Sequence, residues 1–359
     1  MRETDASTPQ KSLRHIFRWD LDKTYLHTEF DTLIDIVRTA VEKPEGKRAV
    51  PGAPALIREL RASVPSRVTI VSGSPEQMRS TLESKLRLDG VQWDEFVLKP
   101  SLKNILRFRF RALRDQVGYK LPALLAARLK APVDVPETLF GDDAEADALV
   151  YTLYADILGD RLNDKMLSAV MEHANAYPDA ISETIRLANL VERTDPVRRI
   201  FIHLERKSDP AFFRRYGARV VPVFNYFQAA LALVADGVLQ PISALRVAAV
   251  ILADKSVSPD DLARSAADLI TRGHLALPAL APVVASARSN DGPLDLDDET
   301  RRLFADALAA VDVPPVAFEP VTIDYLAALT DDRARWEAAR KEAKAASKNK
   351  KSKKADDEA

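Results

Sequence analysis

Short apolar runs alternate with amphipathic stretches over the first two thirds of the chain. Six runs have the length and the β-branched or aromatic content of strands, and they cover residues 16–22, 67–72, 96–98, 138–140, 200–204 and 220–224. Helical spacing of apolar positions lies between them, over residues 53–63, 75–86, 120–130, 145–158 and 226–236. Strands that alternate with helices predict a parallel sheet with helices on both faces.

Two segments break this alternation and are purely helical in pattern. Residues 160–196 predict two helices inserted between the fourth and fifth strands, and residues 241–335 predict about four more helices. After Trp336 the chain is rich in lysine and too polar to form a core. The predicted fold class is therefore α/β, a doubly wound (Rossmann-like) parallel sheet over residues 10–240, with a helical insertion, a helical C-terminal domain over 241–335 and a disordered tail over 336–359.

Composition excludes several classes of protein. The 359 residues contain 52 Lys and Arg against 53 Asp and Glu, and this near-neutral charge argues against a general nucleic-acid binder. The absence of cysteine excludes disulfides, thiolate metal sites and thiol nucleophiles. No apolar run has the length of a signal peptide core or a transmembrane helix, so we expect a cytoplasmic protein with at most peripheral membrane contact. The oligomeric state is not predicted.

Polar side chains follow three of the predicted strands. Asp20 and Asp22 follow the first, Ser72 ends the second, and Asp142 follows the fourth. The carboxyl ends of parallel strands share one edge of the sheet, so these carboxylates should converge, and their repulsion calls for a cation. Oxygen ligands without His or Cys suit Mg²⁺, which would let a carboxylate approach an anionic phosphoryl group. The pattern favours phosphoryl chemistry.

These groups, taken in order with a lysine between them, resemble the motifs of the haloacid dehalogenase-like hydrolase superfamily. The matching segments are Asp20-Leu21-Asp22-Lys23-Thr24, Ser72 and Gly141-Asp142-Asp143-Ala144-Glu145-Ala146-Asp147. The resemblance covers residues 10–240. It implies a sheet of the haloacid dehalogenase type and a phosphatase, that is, a phosphoric monoester hydrolase that works through an aspartyl-phosphate intermediate.

The resemblance also implies a role for each residue. Asp20 would be the nucleophile, Asp22 the general acid and base, and Ser72 a hydrogen-bond donor to the phosphoryl group. Mg²⁺ would bind Asp20, Asp142 and the Asp22 carbonyl. Asp143 and Asp147 would hold the water molecules of the metal or orient the lysine, and Thr24 would be a further supporting residue.

The identity of the motif lysine stays open between two candidates. Lys120 precedes an apolar run, Leu121-Pro122-Ala123-Leu124-Leu125, and is expected to open the helix before the fourth strand, where the superfamily usually places this residue. Lys99 follows the third strand. Either ammonium group could neutralise the charge of an aspartyl-phosphate. We favour Lys120 and expect Lys99 to contact substrate.

A narrower resemblance is to the catalytic domain of actin-patch-type phosphatidate phosphatases. It rests on residues 19–28, 51–54, 71–75, 96–99 and 141–151, and it places Gly73, Ser74 and Lys99 at the substrate. The chain departs from the pattern of that family at Lys23, Gly73 and Asp143. The resemblance implies a phosphorylated lipid as substrate. The alternatives are a soluble phosphorylated metabolite, or a non-catalytic interaction module that uses the helical half.

Two basic segments bear on a lipid substrate. Arginine alternates with phenylalanine from Arg107 to Arg111, with Arg114 close behind, and lysines dominate the tail from Lys341. Such segments can bind anionic membranes, although solvated surface is their commoner role. Residues 25–50 are too few for a cap domain over the site, which favours an open site.

Overall fold

Six parallel strands form one sheet in a computed structural model that describes residues 13–26, 48–99, 113–289, 292–314 and 316–338. The strand order is β3-β2-β1-β4-β5-β6. This confirms the α/β class and the doubly wound parallel sheet. The strands are β1 (His15–Asp20), β2 (Ser66–Pro75), β3 (Glu95–Lys99), β4 (Glu137–Asp142), β5 (Val197–His203) and β6 (Val220–Val223).

Helices cover both faces of the sheet. One face packs against α1 (Ala53–Ser63), α2 (Arg79–Leu88), α7 (Tyr226–Ala235), α8 (Pro241–Leu252), α9 (Pro259–Thr271), α10 (Ala281–Arg288) and α11 (Asp298–Ala309). The other packs against α3 (Leu113–Arg128), α4 (Asp147–Leu158), α5 (Asp164–His173), α6 (Pro178–Ala188), a 3₁₀ helix (Pro210–Tyr216) and α12 (residues 325–338).

Side-chain alternation along β1 explains how one strand serves two environments. Phe17 and Trp19 point into the hydrophobic cluster under α1 and α7, and Trp19 stacks on Phe140 of β4. Arg18 and Asp20, which alternate with them, are buried on the α3 and α4 side. Burial on both faces is typical of a parallel sheet, so polar residues in β1 need partners from the covering helices.

The helical C-terminal region shares the core of the sheet. Buried side chains of α8 to α11, such as Leu245, Leu269 and Phe304, belong to the same hydrophobic cluster as Phe17 and Trp19. Ser258 starts α9 with a capping box to Asp261, which stabilises the start of that helix. The last helix, α12, lies on the opposite face, in the second cluster.

The expectation that Lys120 opens a helix is wrong. Helix α3 begins at Leu113, so Lys120 lies in its interior, with Pro122 inside the same helix. The buried positions Val117, Leu121 and Leu124 explain the difference, because their helical spacing extends the apolar stripe upstream of Lys120.

Some predictions fall on residues outside the described ranges. These are the loop after β1 from residue 27 to 47, the arginine and phenylalanine segment from 107 to 111, and the tail from 339 onwards. None of the helices in the described ranges combines the length and the apolar character that crossing a membrane requires.

Candidate functional site

The predicted acidic residues meet at the point where the strand order reverses. Strands β1 and β4 are neighbours, although β2 and β3 separate them along the chain. Asp20 ends β1, Asp142 ends β4 and Asp147 begins α4, and carboxylate oxygens of the three lie within 4.8 Å of one another. All three side chains are fully buried. A crevice at such a switch point is where doubly wound sheets bind their ligands.

Lys120 lies at the centre of these carboxylates. Its Nζ is 2.9 Å from Asp20 Oδ1 and 2.6 Å from Asp147 Oδ1, and it also donates to Glu145 Oε2 at 2.8 Å. Burial alone would lower the pKa of Lys120, but Asp147, Asp20 and Glu145 raise it well above its usual value. The lysine therefore stays protonated beside Asp20. Lys99 instead lies with Nζ 6.0 Å from the ring centre of Tyr119, the residue before Lys120.

Asp22 faces a different set of partners. Ser74 Oγ and Ser72 Oγ donate to Asp22 Oδ2 at 2.8 and 3.0 Å, while Asp22 Oδ1 is buried with no hydrogen-bond partner in the described residues. Burial, and next the charge of Glu145, raise the pKa of Asp22, and the two serine hydrogen bonds only partly offset this. The Asp22 carboxyl therefore keeps its proton to a higher pH than an exposed aspartic acid does.

The turn after β4 orients Asp142. Asp142 Oδ1 accepts hydrogen bonds from the backbone N–H of Ala144 at 2.6 Å and of Glu145 at 3.1 Å, while its own N–H donates to Asp147 Oδ2 at 3.1 Å. Gly141 is required here, because a Cβ at this position would lie 2.5 Å from Asp147 Cβ. The glycine thus lets β4 and the start of α4 approach closely.

The turn after β1 is held by residues from β5 and α7. Lys23 has a φ of 60°, a left-handed conformation that is strained for a residue with a side chain. Tyr226 donates its hydroxyl hydrogen to the Thr24 carbonyl at 2.5 Å, and His203 Nδ1 lies 3.3 Å from the Lys23 carbonyl oxygen. Thr24 Oγ1 in turn lies 3.3 Å from Asp20 Oδ2 and 3.4 Å from Asp142 Oδ2.

The charge of this site calls for a cation. We use "acidic cluster" for Asp20, Asp22, Asp142, Glu145 and Asp147; Lys120 lowers the pKa of all four of its aspartates, and the buried Lys23 also lowers that of Asp142. Burial first, and then mutual repulsion, raise the pKa of Asp20 and of Asp142 well above the usual value. Buried oxygen ligands in surplus over cations fit a hard divalent ion such as Mg²⁺.

The remaining predicted residues differ in whether they contact the metal-binding carboxylates and Lys120. Asp147 joins the acidic cluster directly and also contacts Lys120, whereas the Asp22 carboxylate is absent from the group of three that could hold a metal. The carboxylate of Asp143 accepts the backbone N–H groups of Arg206 and Ser208, at 2.8 and 3.0 Å, whereas the carboxylates that contact Lys120 are those of Asp20, Glu145 and Asp147. Gly73 borders open space, since a Cβ there would meet no atom within 4 Å.

Sequence reasoning missed three residues that complete the site. Glu145 supplies the third carboxylate to Lys120, and its place inside the motif after β4 was a usable signal. Tyr226 and His203 hold the turn after β1 from almost two hundred residues away. No sequence pattern marked these two, because their contacts depend on how β5 and α7 lie beside β1.

Comparison of this chain with protein-family models, with curated proteins and with solved structures gave no match.

Proposed function

We propose that this protein is a Mg²⁺-dependent phosphomonoester hydrolase that forms an aspartyl-phosphate on Asp20. One observation carries the proposal: buried Asp20, Asp142 and Asp147 converge within 4.8 Å at the switch point of the sheet, with Lys120 in contact with two of them. This arrangement leaves negative charge that a divalent metal ion would balance, so that an anionic phosphoryl group could approach Asp20. The ordered motif set that resembles the haloacid dehalogenase-like superfamily supports the same assignment.

The two aspartates of β1 have environments that suit two roles. Burial and the neighbouring carboxylates raise the pKa of Asp20, but Lys120 opposes this, and a bound metal would add to its effect, so that the carboxylate that attacks phosphorus would be ionised. Asp22 has a raised pKa and no contact with Lys120, so it is suited to protonate the departing oxygen. In the second step Asp22 takes a proton from water, which attacks the phosphorus of the aspartyl-phosphate and releases Asp20 and inorganic phosphate.

Metal and lysine would share the neutralisation of charge. Asp20, Asp142 and Asp147 offer the carboxylate oxygens that would hold Mg²⁺, and the ion would reduce the repulsion between carboxylate and phosphoryl group. Lys120 contacts both Asp20 and Asp147 and would hold their carboxylates in fixed positions. The Ser72 hydroxyl hydrogen is donated to Asp22, so Ser72 would have to turn it towards a phosphoryl oxygen to take the role that the resemblance implies. Glu145 and Asp22 are the most exposed members of the acidic cluster, so we place the substrate entrance on their side.

The substrate class rests on the narrower resemblance. It favours a phosphorylated lipid such as phosphatidate, with a soluble phosphomonoester as the alternative. Vesicles that contain phosphatidate and a soluble aryl phosphate separate the two, because binding to an anionic surface through arginine and lysine weakens steeply with salt. A lipid phosphatase should lose vesicle turnover in high salt and keep turnover of the aryl phosphate.

A phosphate-release panel tests the proposed reaction. Purified protein is incubated with Mg²⁺ and a series of lipid and soluble phosphomonoesters, and the same panel is run with Asp22→Asn. We expect Asp22→Asn to slow turnover by about 10²- to 10⁴-fold, as for loss of a general acid and base. Lack of phosphate release from every substrate, in the presence of Mg²⁺, would contradict the proposal and favour the interaction module.

A further inference from the structure

Helix α12 brings a distant part of the chain to the acidic cluster. Beyond α11 the chain leaves one face of the sheet and passes Arg214, whose guanidinium lies 5.3 Å from the ring centre of Phe318. It then packs Tyr325, Ala328 and Leu329 into the hydrophobic cluster on the opposite face. Tyr325 donates to Asp156 of α4 at 2.5 Å. The helix is thus seated against α4, the helix that supplies Asp147.

Arg335 extends from α12 to the turn after β4. Its Nη1 donates to the Asp143 carbonyl oxygen at 3.1 Å and to Ser208 Oγ at 2.8 Å. Its guanidinium lies 4.6 Å from the ring centre of Phe212 and 5.6 Å from that of Phe213. Two hydrogen-bond acceptors and two aromatic rings hold the guanidinium in one orientation.

Every polar group of Asp143 has a partner in this arrangement. Its N–H donates to the His203 carbonyl at 3.0 Å, and its two carboxylate oxygens accept the N–H groups of Arg206 and Ser208. The Asp143 carbonyl oxygen accepts from Arg335. The peptide that follows Asp142 is therefore fixed from β5, from the loop after β5 and from α12.

The acidic cluster needs this fixation. Asp20, Asp142 and Asp147 repel one another at 4.8 Å or less, and a small movement of the turn after β4 would relieve the repulsion. The direction of the Asp142 carboxylate depends on that turn, because the N–H groups of Ala144 and Glu145 bind its Oδ1. A donor on the Asp143 carbonyl opposes the movement.

We propose that Arg335 is a positioning residue, through which α12 holds the turn after β4 and keeps Asp142 aimed at the Mg²⁺ position. This inference rests on the proposed function. Anchoring of α12 itself has other sources: Tyr216 donates to Asp332 at 2.7 Å, Arg333 donates to the His173 carbonyl at 2.6 Å, and Tyr325 binds Asp156. The contact from Arg335 to Asp143 is therefore not needed to anchor α12, and its effect falls on the turn after β4.

Arg335→Met tests the inference, with Arg333→Met as the matched control on the same helix. Methionine keeps the unbranched stem and removes the donors. The first measurement is amide hydrogen exchange of residues 142–145 without metal, and the second is the Mg²⁺ concentration at the midpoint of metal-induced thermal stabilisation. For Arg335→Met we expect faster exchange in this turn and a midpoint raised about 10-fold, the size found for residues that orient metal ligands.

Two further measurements separate positioning from general loss of structure. Saturating Mg²⁺ should return most of the lost turnover of Arg335→Met, and free guanidinium, well below unfolding concentrations, should lower its Mg²⁺ midpoint towards wild type. If Arg335→Met folds poorly, Arg335→Lys takes its place in the test. The lysine can reach one acceptor, so its Mg²⁺ midpoint should lie between the wild-type value and the value expected for Arg335→Met.

The outcomes distinguish this inference from the proposed function. Equal exchange and equal Mg²⁺ midpoints in Arg335→Met and Arg333→Met overturn the positioning role alone, because the metal site would then be intact without it. A wild-type protein that shows no Mg²⁺-induced stabilisation overturns both. A midpoint change confined to Arg335→Met, with faster exchange in residues 142–145, supports the positioning role.

Discussion

Strands β1 and β4 and helices α3 and α4, which supply Asp20, Asp142, Lys120 and Asp147, also carry a second set of buried charged and polar groups. This second set lies towards the amino-terminal ends of β1 and β4. We call it the arginine cluster: Arg18, Arg128, Glu137 and Tyr154. Strand β1 supplies Arg18 and Asp20, β4 supplies Glu137 and Asp142, α3 supplies Arg128 and Lys120, and α4 supplies Tyr154 and Asp147. Each element thus contributes one residue to the arginine cluster and one to the acidic cluster, except that α3 contributes the lysine that contacts the acidic cluster.

The two clusters differ in how their charges are balanced. Glu137 accepts two hydrogen bonds from Arg18 at 2.7 and 2.8 Å, one from Arg128 at 3.0 Å and one from Tyr154 at 2.8 Å. Burial alone would raise the pKa of Glu137, but the two arginines lower it below its usual value. In the acidic cluster, carboxylates outnumber the lysines that lower their pKa, and the pKa values of the four aspartates rise. A buried cluster in which every charge is paired is typical of a structural role, whereas a buried cluster with uncompensated charge is typical of a binding site.

The largest effect is expected from the nucleophile. Asp20→Asn should lower phosphate release by about 10⁴-fold or more, since removal of a nucleophile leaves only binding and electrostatics. The melting temperature without metal should not fall, because the substitution removes one charge from a repulsive group. Phosphate release near the wild-type rate would show that Asp20 is not the attacking group.

The next effect is on stability, in the arginine cluster. Glu137→Gln leaves the buried Arg18 without its carboxylate, and we expect a loss of about 3 to 5 kcal/mol in the free energy of unfolding. Glu59→Gln is the control, because Glu59 pairs with the partly exposed Arg246 and should cost about 1 kcal/mol or less. Urea denaturation measures both. Similar losses in the two variants would contradict the contrast between the clusters.

Mg²⁺ should stabilise the acidic cluster and have no effect on the arginine cluster. Mg²⁺ at about 100 times its dissociation constant should raise the free energy of unfolding by about 2.7 kcal/mol, and EDTA should remove this gain. Asp142→Asn should abolish the gain, whereas Glu137→Gln should keep it on top of a lower baseline. Turnover should fail in Ca²⁺, which prefers more ligands at longer distances. Undiminished turnover in EDTA would argue against a metal at Asp142.

The smallest effect is a difference in pH dependence. The raised pKa of Asp142 contributes stability that is present below its unfolded value near 4 and is lost as pH rises through the folded pKa. Asp142→Asn without metal should therefore match wild type in acid and become more stable than wild type towards neutral pH. The difference should grow by at most about 1.4 kcal/mol per pH unit.

Glu137 should show the opposite dependence. Its lowered pKa contributes stability that is present above its unfolded value of 4.5 and is lost as pH falls through the folded pKa. The deficit of Glu137→Gln should thus shrink in acid while the advantage of Asp142→Asn vanishes. Urea denaturation across the pH range checks both, and parallel curves for the two variants would show that the clusters are electrostatically alike.

The amino-acid sequence determined the strands and the acidic residues that end them. Apolar runs that finish in Asp20, Ser72 or Asp142 are local patterns, and parallel strands bring their carboxyl ends to one edge whatever the surrounding helices do. The sheet and the convergence of these groups could therefore be predicted. The choice of the motif lysine could be narrowed only to Lys99 or Lys120, because Lys99 follows a predicted strand and Lys120 precedes a predicted helical run.

Tertiary structure decided the contacts that depend on how distant elements pack. Lys120 reaches Asp20 from the interior of α3, which packs against β2, and Asp22 contacts Ser72 and Ser74 beside the strained turn at Lys23. Tyr226 and Arg335 act on the site from elements far along the chain. Such contacts leave no periodic signal in the sequence, because each results from packing of whole faces rather than from the spacing of neighbouring residues.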